Sequence, residues 1–428
     1  MVEHSNSRRR FGGKPGRAAT MAEALGAIPD RSRVFVSGGA AAPSVIDRAM
    51  ADERSRWSDL ELVADRLVEP LAMFQFPTEP FRLVSLQPSP AVDGMRSAGA
   101  LTADPVPFSR FGELMGPSGR WPIDVAIVHV SPPGPEGRFS LGVSAATPLA
   151  AIAAAPLVIA QVNPRMPYTF GDGELDRDEI DLLIDVDHPL VELTRAEPGE
   201  TARRIGALVA TAIPDGAMLQ IGVGALADAV LAAMAGHRDI GIHSGMISDG
   251  VIDLFEGGAV TGAGHPVHPG RMVTGLLGGT RRLFDFADRN PALVTVSASV
   301  SHGRKTLRRL GRFRAVNSAV EVALDGSVNG ERIGDRVISG PGGAPDYAAA
   351  ASASSDGRFI VAIPATAARG GTSRIVGALD RRTPATVDGR LVTTVITENG
   401  IAEISGLSAT DRADALRAIA DPRFSAEL

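Results

Sequence analysis

The turn at residues 222–227 (GVGALA) has the glycine spacing of a loop that binds anions. It follows an apolar run typical of a strand and precedes a run with helical spacing. Glycines let the backbone turn sharply here, and the free N–H groups at the start of a helix can bind an anion or a developing oxyanion. A close-packed turn without a ligand is the alternative for any single loop of this kind.

A dinucleotide site is a second alternative, because G-x-G-x-x-A also occurs in nicotinamide-binding loops. Such a site needs an acidic residue about 20 positions further on, at the end of the next strand, to hold the ribose. That strand ends at His243, Ser244 and Gly245, without a carboxylate. The sequence therefore does not predict a nicotinamide cofactor.

The loop lies in a strand–glycine–helix–strand unit that occurs twice, at residues 34–63 and 218–243. This order is typical of a βαβ unit with a right-handed crossover. Short runs rich in Val and Ile, bounded by Gly and Pro, predict further parallel strands that are buried on both faces. These runs are residues 125–128, 157–160, 359–363 and 392–396. The sequence therefore predicts an α/β fold with mostly parallel sheets.

The repeat divides the chain into two predicted α/β domains, residues 21–195 and 205–428. The linker is expected near a Pro-Gly-Glu turn at residues 198–200. Residues 1–20 contain three consecutive arginines but no apolar segment. We therefore predict a disordered basic tail there and no signal peptide.

The composition excludes several kinds of site. The chain has no cysteine, so disulfides, thiolate metal sites and cysteine nucleophiles are absent, which is compatible with a reducing cytoplasm. The net charge of −6 argues against a nucleic-acid partner, and no apolar run is long enough for a membrane helix. His265 and His268 lack clustered carboxylates, so no metal is predicted.

Residues 213–224 (IPDGAMLQIGVG) resemble a segment of the acetyl-CoA hydrolase/transferase family, which includes 4-hydroxybutyrate and butyrate CoA-transferases of family I. Further segments resemble the family in the same order, over nearly the whole chain after about residue 20. They are residues 124–142, 161–167, 249–254, 316–319, 372–376 and 397–402. On these segments the chain is identified as a member of the family.

The resemblance implies two CoA-transferase-like domains of the NagB/RpiA type, an active site in the interdomain cleft, and a homodimer. It also implies an acyl-CoA and a small carboxylic acid as substrates, with CoA as the group transferred. In that reaction a glutamate attacks the acyl-CoA, and a glutamyl-CoA thioester then activates the second acid. The loop formed by Gln220, Ile221, Gly222, Val223 and Gly224 would lie against the thioester carbonyl and stabilise its oxyanion.

The chain departs from the family where the glutamate is expected. The family's His-Thr-Glu-Met appears here as residues 243–246 (HSGM), followed by a matching Ser-Asp-Gly. Gly245 therefore occupies the position of the nucleophile, and glycine has no side chain to form a glutamyl thioester.

Three alternatives remain open from the sequence. A carboxylate elsewhere could take over, and Glu61 lies on the equivalent strand of the first repeat, although a solvated strand residue is its simpler interpretation. Alternatively, the glycine opens space for water, and the protein hydrolyses acyl-CoA with His243 as base and Ser244 as hydrogen-bonding group or nucleophile. His243 could equally be a buried core histidine. The third alternative is a protein that binds CoA thioesters without turnover.

A second glycine segment carries the predicted CoA contacts. Residues 339–347 (SGPGGAPDY) resemble the family's Ser-Gly-x-Gly-Gly-Gln-x-Asp-Phe, so Gly340, Gly342 and Gly343 are assigned to CoA binding. Arg358 keeps the positive charge of a later family lysine and could meet a CoA phosphate. A surface charge beside a strand is the alternative for Arg358.

Overall fold

The computed structural model describes residues 15–76, 79–194, 196–367 and 370–428. In the first half of the chain the strands are β1 (Arg17–Ala18), β2 (Arg33–Val36), β3 (Leu60–Ala64), β4 (Phe81–Ser85), β5 (Leu101–Ala103), β6 (Val125–Val130), β7 (Phe139–Ser140), β8 (Leu157–Val162), β9 (Phe170–Gly171), β10 (Glu174–Leu175) and β11 (Leu182–Asp185). The helices are α1 (Met21–Ala27), α2 (Ser44–Asp52), α3 (Asp93–Ser97), α4 (Phe111–Met115) and α5 (Pro148–Ala154).

The strands of the second half are β12 (Met218–Ile221), β13 (Gly241–Ile247), β14 (Met272–Leu277), β15 (Leu293–Thr295), β16 (Phe313–Asn317), β17 (Glu321–Ala323), β18 (Val328–Asn329), β19 (Arg332–Ile333), β20 (Arg336–Val337), β21 (Arg358–Ala362), β22 (Thr366–Ala367), β23 (Thr372–Ser373), β24 (Ile375–Val376), β25 (Thr394–Thr397) and β26 (Gly400–Glu403). The helices are α6 (Glu200–Thr211), α7 (Ala225–Ala233), α8 (Gly250–Glu256), α9 (Arg281–Ala287), α10 (Ala298–Ser301), α11 (Arg304–Leu307), α12 (Ala344–Ala353) and α13 (Ala409–Ile419).

Two large sheets organise these elements. The first has the order β1-β11-β8-β6-β2-β3-β4-β5, and all of its described pairs are parallel. The second has the order β26-β25-β21-β16-β12-β13-β14-β15-β9, and only the β25–β26 pair is antiparallel among the residues described. The predicted α/β fold with mostly parallel sheets is confirmed.

Both sheets are apolar on both faces, as the Val- and Ile-rich runs predicted. On β2, Val34 and Val36 pack into one core, while Phe35 points into a second core on the opposite face. This alternation follows from the two-residue period of a strand. The four runs expected to be buried strands lie in or overlap β6, β8, β21 and β25.

The structure differs from the predicted domain limits at three points. The short edge strand β1 and the capping Thr20 belong to the ordered fold, so the predicted tail of residues 1–20 does not extend to residue 20; residues 1–14 lie outside the described residues. Helix α6 begins at Glu200, so a boundary at 205 would cut it. In addition, β9 from the first half pairs with β15 and completes the second sheet.

Candidate active site

The carboxyl ends of the central strands of both sheets face one interdomain cleft. The segments after β2 and β3 meet the loop after β12 and the ends of β13 and β14 around a cavity of about 260 Å³. Its lining residues are Gly39, Ala40, Asp65, Arg66, Val68, Phe108, Val143, Leu193, Thr194, Val223, Gly224, Met246, Leu276, Leu277 and Gly278. Ligands of parallel α/β sheets bind at such carboxyl ends, where the free backbone groups of successive loops converge.

Only part of the glycine loop faces this cavity. Gln220 is buried in β12, where its Oε1 accepts a hydrogen bond from the Asn317 amide at 2.8 Å. Ile221 is buried beside it, and the Gly222 amide donates to the Val316 carbonyl at 3.3 Å. These three residues are therefore occupied in holding the sheet together.

The remaining two residues present backbone donors. Among the described residues, the Val223 and Gly224 amides have no hydrogen-bond partner, and both residues line the cavity. Gly224 has φ +122°, a conformation that favours glycine, and directly precedes α7. The arrangement leaves free N–H groups at a helix start, as stabilisation of an oxyanion requires.

Gly245 lies inside β13, and the space beside it is filled. A Cβ atom built on Gly245 would lie 2.6 Å from His302 Nε2 and 2.9 Å from the Tyr347 hydroxyl. Both rings are buried, at 3% and 2% exposure. Residue 245 therefore has no room for a side chain unless these rings move.

The His302 ring is held on several sides. It stacks on Phe108 with 5.0 Å between ring centroids and lies 5.0 Å from the Tyr347 ring. Its Nδ1 is 2.9 Å from the Ser301 hydroxyl. Burial lowers the pKa of His302 to about 3, so the ring is neutral at pH 7.

His243 has both ring nitrogens engaged. The amides of Val267 and His268 donate to His265 Nδ1, so the proton of the neutral His265 ring is on Nε2 and is donated to His243 Nδ1 at 3.0 Å. His243 Nε2 then donates to the Ser301 carbonyl at 3.2 Å. The ring is fully buried, and burial lowers its pKa to about 4. This geometry agrees with the interpretation of His243 as a buried core histidine. It leaves no free lone pair on the ring, so His243 cannot accept a proton as a base.

Ser244 is equally enclosed. Its side chain is fully buried, and its hydroxyl lies 2.8 Å from both the Ile221 and the Met246 carbonyls. Carbonyl oxygens accept the hydroxyl proton but cannot remove it, so these contacts do not activate Ser244 as a nucleophile. They tie β12 to β13 beside the loop instead.

Glu61 lies at the amino ends of the strands of its sheet, on the side opposite the cleft. It stands near the start of β3, between Arg33 of β2 and Arg82 of β4 in register. Its carboxylate pairs with Arg33 at 2.5 Å and with Arg82 at 3.1 Å. Two interpretations of Glu61 were left open by the sequence. Its replacement of the family glutamate is corrected, because the amino ends of parallel strands point away from the cleft, and the simpler interpretation as a strand residue remains.

Among the described residues that line this cavity, Asp65 carries the carboxylate. It follows directly after β3 and lines the cavity, although it is only 3% exposed. Its Oδ1 makes no hydrogen bond of good geometry. Burial raises the pKa of Asp65 to about 7, and the nearby Thr147 hydroxyl and Gly38 amide partly oppose this rise. The position of Asp65 one residue beyond the carboxyl end of β3 was the sequence signal that could have identified it.

Comparisons with known proteins identify the family. Models of the N-terminal and C-terminal domains of acetyl-CoA hydrolase/transferase match residues 7–193 and 279–428. The chain belongs to the acetyl-CoA hydrolase/transferase family. It is 40% identical to 4-hydroxybutyrate coenzyme A transferase of Clostridium kluyveri over 309 residues. These residues cover 72% of each chain.

Two further relatives cover almost the whole chain. Succinyl-CoA:acetate/propanoyl-CoA:succinate CoA transferase of Fasciola hepatica is 32% identical over 435 residues, which are 96% of this chain and 87% of the relative. The crystal structure of 4-hydroxybutyrate CoA-transferase from Porphyromonas gingivalis matches with a TM-score of 0.80 and 30% identity, over 96% of this chain and 95% of that one. The family and its two-domain fold, predicted from the sequence segments, are confirmed.

The second glycine segment lies between the two domains. Gly340, Gly342 and Gly343 precede α12 and line a separate cavity of about 190 Å³. The Gly342 amide donates to Gln87 Oε1 at 3.0 Å, which joins the two domains. The assignment of these glycines to CoA binding stays a prediction.

Arg358 begins β21 and donates to the neighbouring Gly357 carbonyl at 2.9 Å. The next residue of the strand, Phe359, lines the same cavity as Gly340, Gly342 and Gly343. The assignment of Arg358 to a CoA phosphate stays a prediction.

Two further features of the described residues concern metal binding and membrane spanning. Within them, no group of three or more His, Cys, Asp or Glu side chains is placed to hold a metal ion. None of the helices seen there is long and apolar enough to cross a bilayer.

Proposed function

We propose that this protein transfers CoA between a CoA thioester and a small carboxylic acid in the interdomain cleft, with Asp65 as the reacting carboxylate. The observation that carries the proposal is the position of Asp65. Its carboxylate shares one cavity with the free amides of Val223 and Gly224. Membership of the family, whose relatives above are named as CoA transferases, supports the reaction class.

The reaction needs only a carboxylate and oxyanion donors. An Asp65 oxygen attacks the thioester carbonyl, the C–S bond breaks, and CoA leaves as the thiolate, so that an acyl-aspartyl anhydride remains. The thiolate then attacks the Asp65 carbonyl carbon, releasing the first acid as its carboxylate and leaving an aspartyl-CoA thioester. A second carboxylate takes up CoA by the reverse sequence, and Asp65 returns to its ionised form. The Val223 and Gly224 amides stabilise the oxyanions, where one donor is typically worth about 10²–10³ in rate.

The test compares two carboxylates at opposite ends of one strand. Wild-type protein, Asp65→Asn and Glu61→Gln are incubated with a panel of acyl-CoAs in the presence of acetate, and exchanged thioester is measured. The proposal predicts exchange by the wild type and by Glu61→Gln, and its loss in Asp65→Asn. Exchange at the wild-type rate by Asp65→Asn would refute the role of Asp65.

Hydrolysis is the second candidate, and the elevated pKa of Asp65 favours it. A carboxyl with a pKa of about 7 is partly ionised at neutral pH and is suited to act as a general base. Asp65 would take a proton from water, the hydroxide would attack the thioester carbonyl, and the CoA thiolate would leave. Free CoA released without acetate identifies this reaction. Tight binding without either product identifies the third alternative, a binding protein.

We further propose that the protein works as a homodimer in the cytoplasm, as the family resemblance and the cysteine-free sequence suggest. Light scattering after size exclusion tests the dimer, which predicts twice the mass of the 44.4 kDa chain.

A further inference from the structure

Thr147 lies at the start of α5, and its side chain is fully buried. A threonine at this position of a helix normally uses its hydroxyl to accept a hydrogen bond from a backbone amide of the first turn. The Thr147 hydroxyl makes no such cap, and among the described residues it has no hydrogen-bond partner of good geometry. Because a buried hydroxyl without a partner costs free energy, its surroundings must explain its position.

The polar group beside this hydroxyl is the carboxylate of Asp65. Burial raises the pKa of Asp65 to about 7, and the Thr147 hydroxyl acts in the opposite direction by hydrogen bonding to the carboxylate. Asp65 Oδ1 is itself buried without a partner of good geometry in the part of the chain that is described. A rotation of the hydroxyl onto this oxygen satisfies both atoms with one hydrogen bond.

Gly38 fixes the side on which the carboxylate lies. A Cβ atom built on Gly38, just after β2, would collide with Asp65 Oδ1. The missing side chain therefore lets Oδ1 lie against the backbone at the end of β2, while Asp65 still lines the cavity. Because Oδ1 is turned inwards, Oδ2 is the oxygen that remains for a substrate.

The segments around Asp65 are uncharged. Residues 37–40, 85–89 and 143–148 contain no titratable side chain. Arg66 is the other charged residue that lines the cavity within the described ranges, where it forms no ion pair, and its Nη1 donates to the Ser339 hydroxyl at 3.1 Å. Burial and hydrogen bonding therefore govern the ionisation of Asp65.

We propose that Thr147 is a positioning residue for Asp65. Its hydroxyl donates to Oδ1, holds the carboxylate against Gly38, and so directs Oδ2 towards the thioester carbonyl. This inference rests on the proposed role of Asp65 in the cleft. The donated hydrogen bond also stabilises the ionised form, so that a deeply buried carboxylate stays available as a nucleophile near neutral pH.

The pH dependence of unfolding tests this contact without a substrate. Because folding raises the pKa of Asp65, stability is lost as the pH rises through the folded value of about 7. Thr147→Val removes the hydroxyl and should raise this pKa further. The loss of stability should then continue for about 1–2 more pH units, the value of one hydrogen bond to a charged group. Urea unfolding over a series of pH values measures the shift.

Three further variants serve as controls. Thr147→Ser keeps the hydroxyl and is expected to keep the wild-type pH dependence. Thr393→Val makes the same isosteric change just before β25, where the buried hydroxyl donates to the Phe359 carbonyl at 2.9 Å. It should lower stability at every pH without moving the dependence. Thr147→Ala removes the same hydroxyl if Thr147→Val does not fold.

CoA exchange gives a second readout, measured with the panel of acyl-CoAs and acetate. Thr147→Val should lower kcat about 5- to 50-fold at neutral pH, because a smaller fraction of Asp65 is ionised there. The acid limb of its pH–rate profile should move upwards by the same pH interval as the unfolding profile. KM should stay at the wild-type value, since Thr147 does not line the cavity.

The results separate this inference from the proposed function. Wild-type pH dependence in Thr147→Val overturns the inference, and so does an equal shift in Thr393→Val. A lower kcat with an unmoved acid limb would assign Thr147 a purely structural role and overturns it as well. Wild-type exchange by Asp65→Asn overturns the proposed function instead, while a shifted unfolding profile would still support the contact between Thr147 and Asp65.

Discussion

Placing a side chain at residue 245 should destabilise the protein and should not by itself create a working nucleophile. Even the Cβ of alanine would lie 2.6 Å from His302 Nε2, whereas non-bonded contacts settle at about 3.5–4.0 Å. The imidazole ring must therefore move by roughly 1 Å. Phe108 and Tyr347 lie against that ring, so the movement disturbs a packed aromatic cluster.

The magnitude follows from the cost of overpacking. Gly245→Ala should lower the free energy of unfolding by about 1–3 kcal/mol. Gly245→Glu should lower it further, because a carboxylate would enter a site without a cationic partner. His302→Ala removes the closer of the two contacts and leaves that of the Tyr347 hydroxyl at 2.9 Å. The double variant Gly245→Ala/His302→Ala should therefore be more stable than the sum of the single effects predicts, by about 0.5–3 kcal/mol.

Urea unfolding of the wild type, the two single variants and the double variant measures this coupling directly. Additive effects would refute the steric account, and so would a Gly245→Ala variant as stable as the wild type. If the account holds, transfer chemistry at residue 245 can be tested only in a Gly245→Glu/His302→Ala background.

Three further predictions concern charged groups at the two ends of β3. Because folding raises the pKa of Asp65 to about 7, wild-type stability should fall as the pH rises from about 4 to 7, and Asp65→Asn should remove this part of the fall in urea titrations at each pH. Glu61→Gln should cost about 1–2 kcal/mol in urea unfolding, because it breaks contacts to Arg33 and Arg82, while acyl-CoA turnover is kept; loss of turnover would contradict its placement. Arg66→Met should unfold at an equal or higher temperature without ligand, since it removes an unpaired charge, and a lower one would argue for a hidden partner.

The sequence predicted the parts of the fold that local patterns determine. Buried Val- and Ile-rich runs gave parallel strands because such strands pack on both faces, and the glycine spacing gave the turn at residues 222–224. The pattern did not predict that β9 crosses to the second sheet, because a two-residue strand has no periodicity of its own.

The site was predicted less completely because it depends on contacts between distant segments. Nothing local to His302 indicates that its ring lies beside Gly245, 57 positions earlier in the chain. The sequence analysis named Glu61 as a candidate but not Asp65, because it did not use the position of a residue along its strand, which decides whether the residue faces the cleft. The contacts of His243 with His265 and Ser301 likewise join three separate elements.

Peptide mapping by mass spectrometry after incubation with an acyl-CoA tests the central claim most directly. CoA transfer through Asp65 predicts that CoA becomes covalently attached to the peptide containing Asp65, that the adduct disappears when acetate is added, and that Asp65→Asn forms none. Exchange of CoA with an adduct on another carboxylate, or with no adduct at any residue, would contradict the assignment of the reacting carboxylate to Asp65.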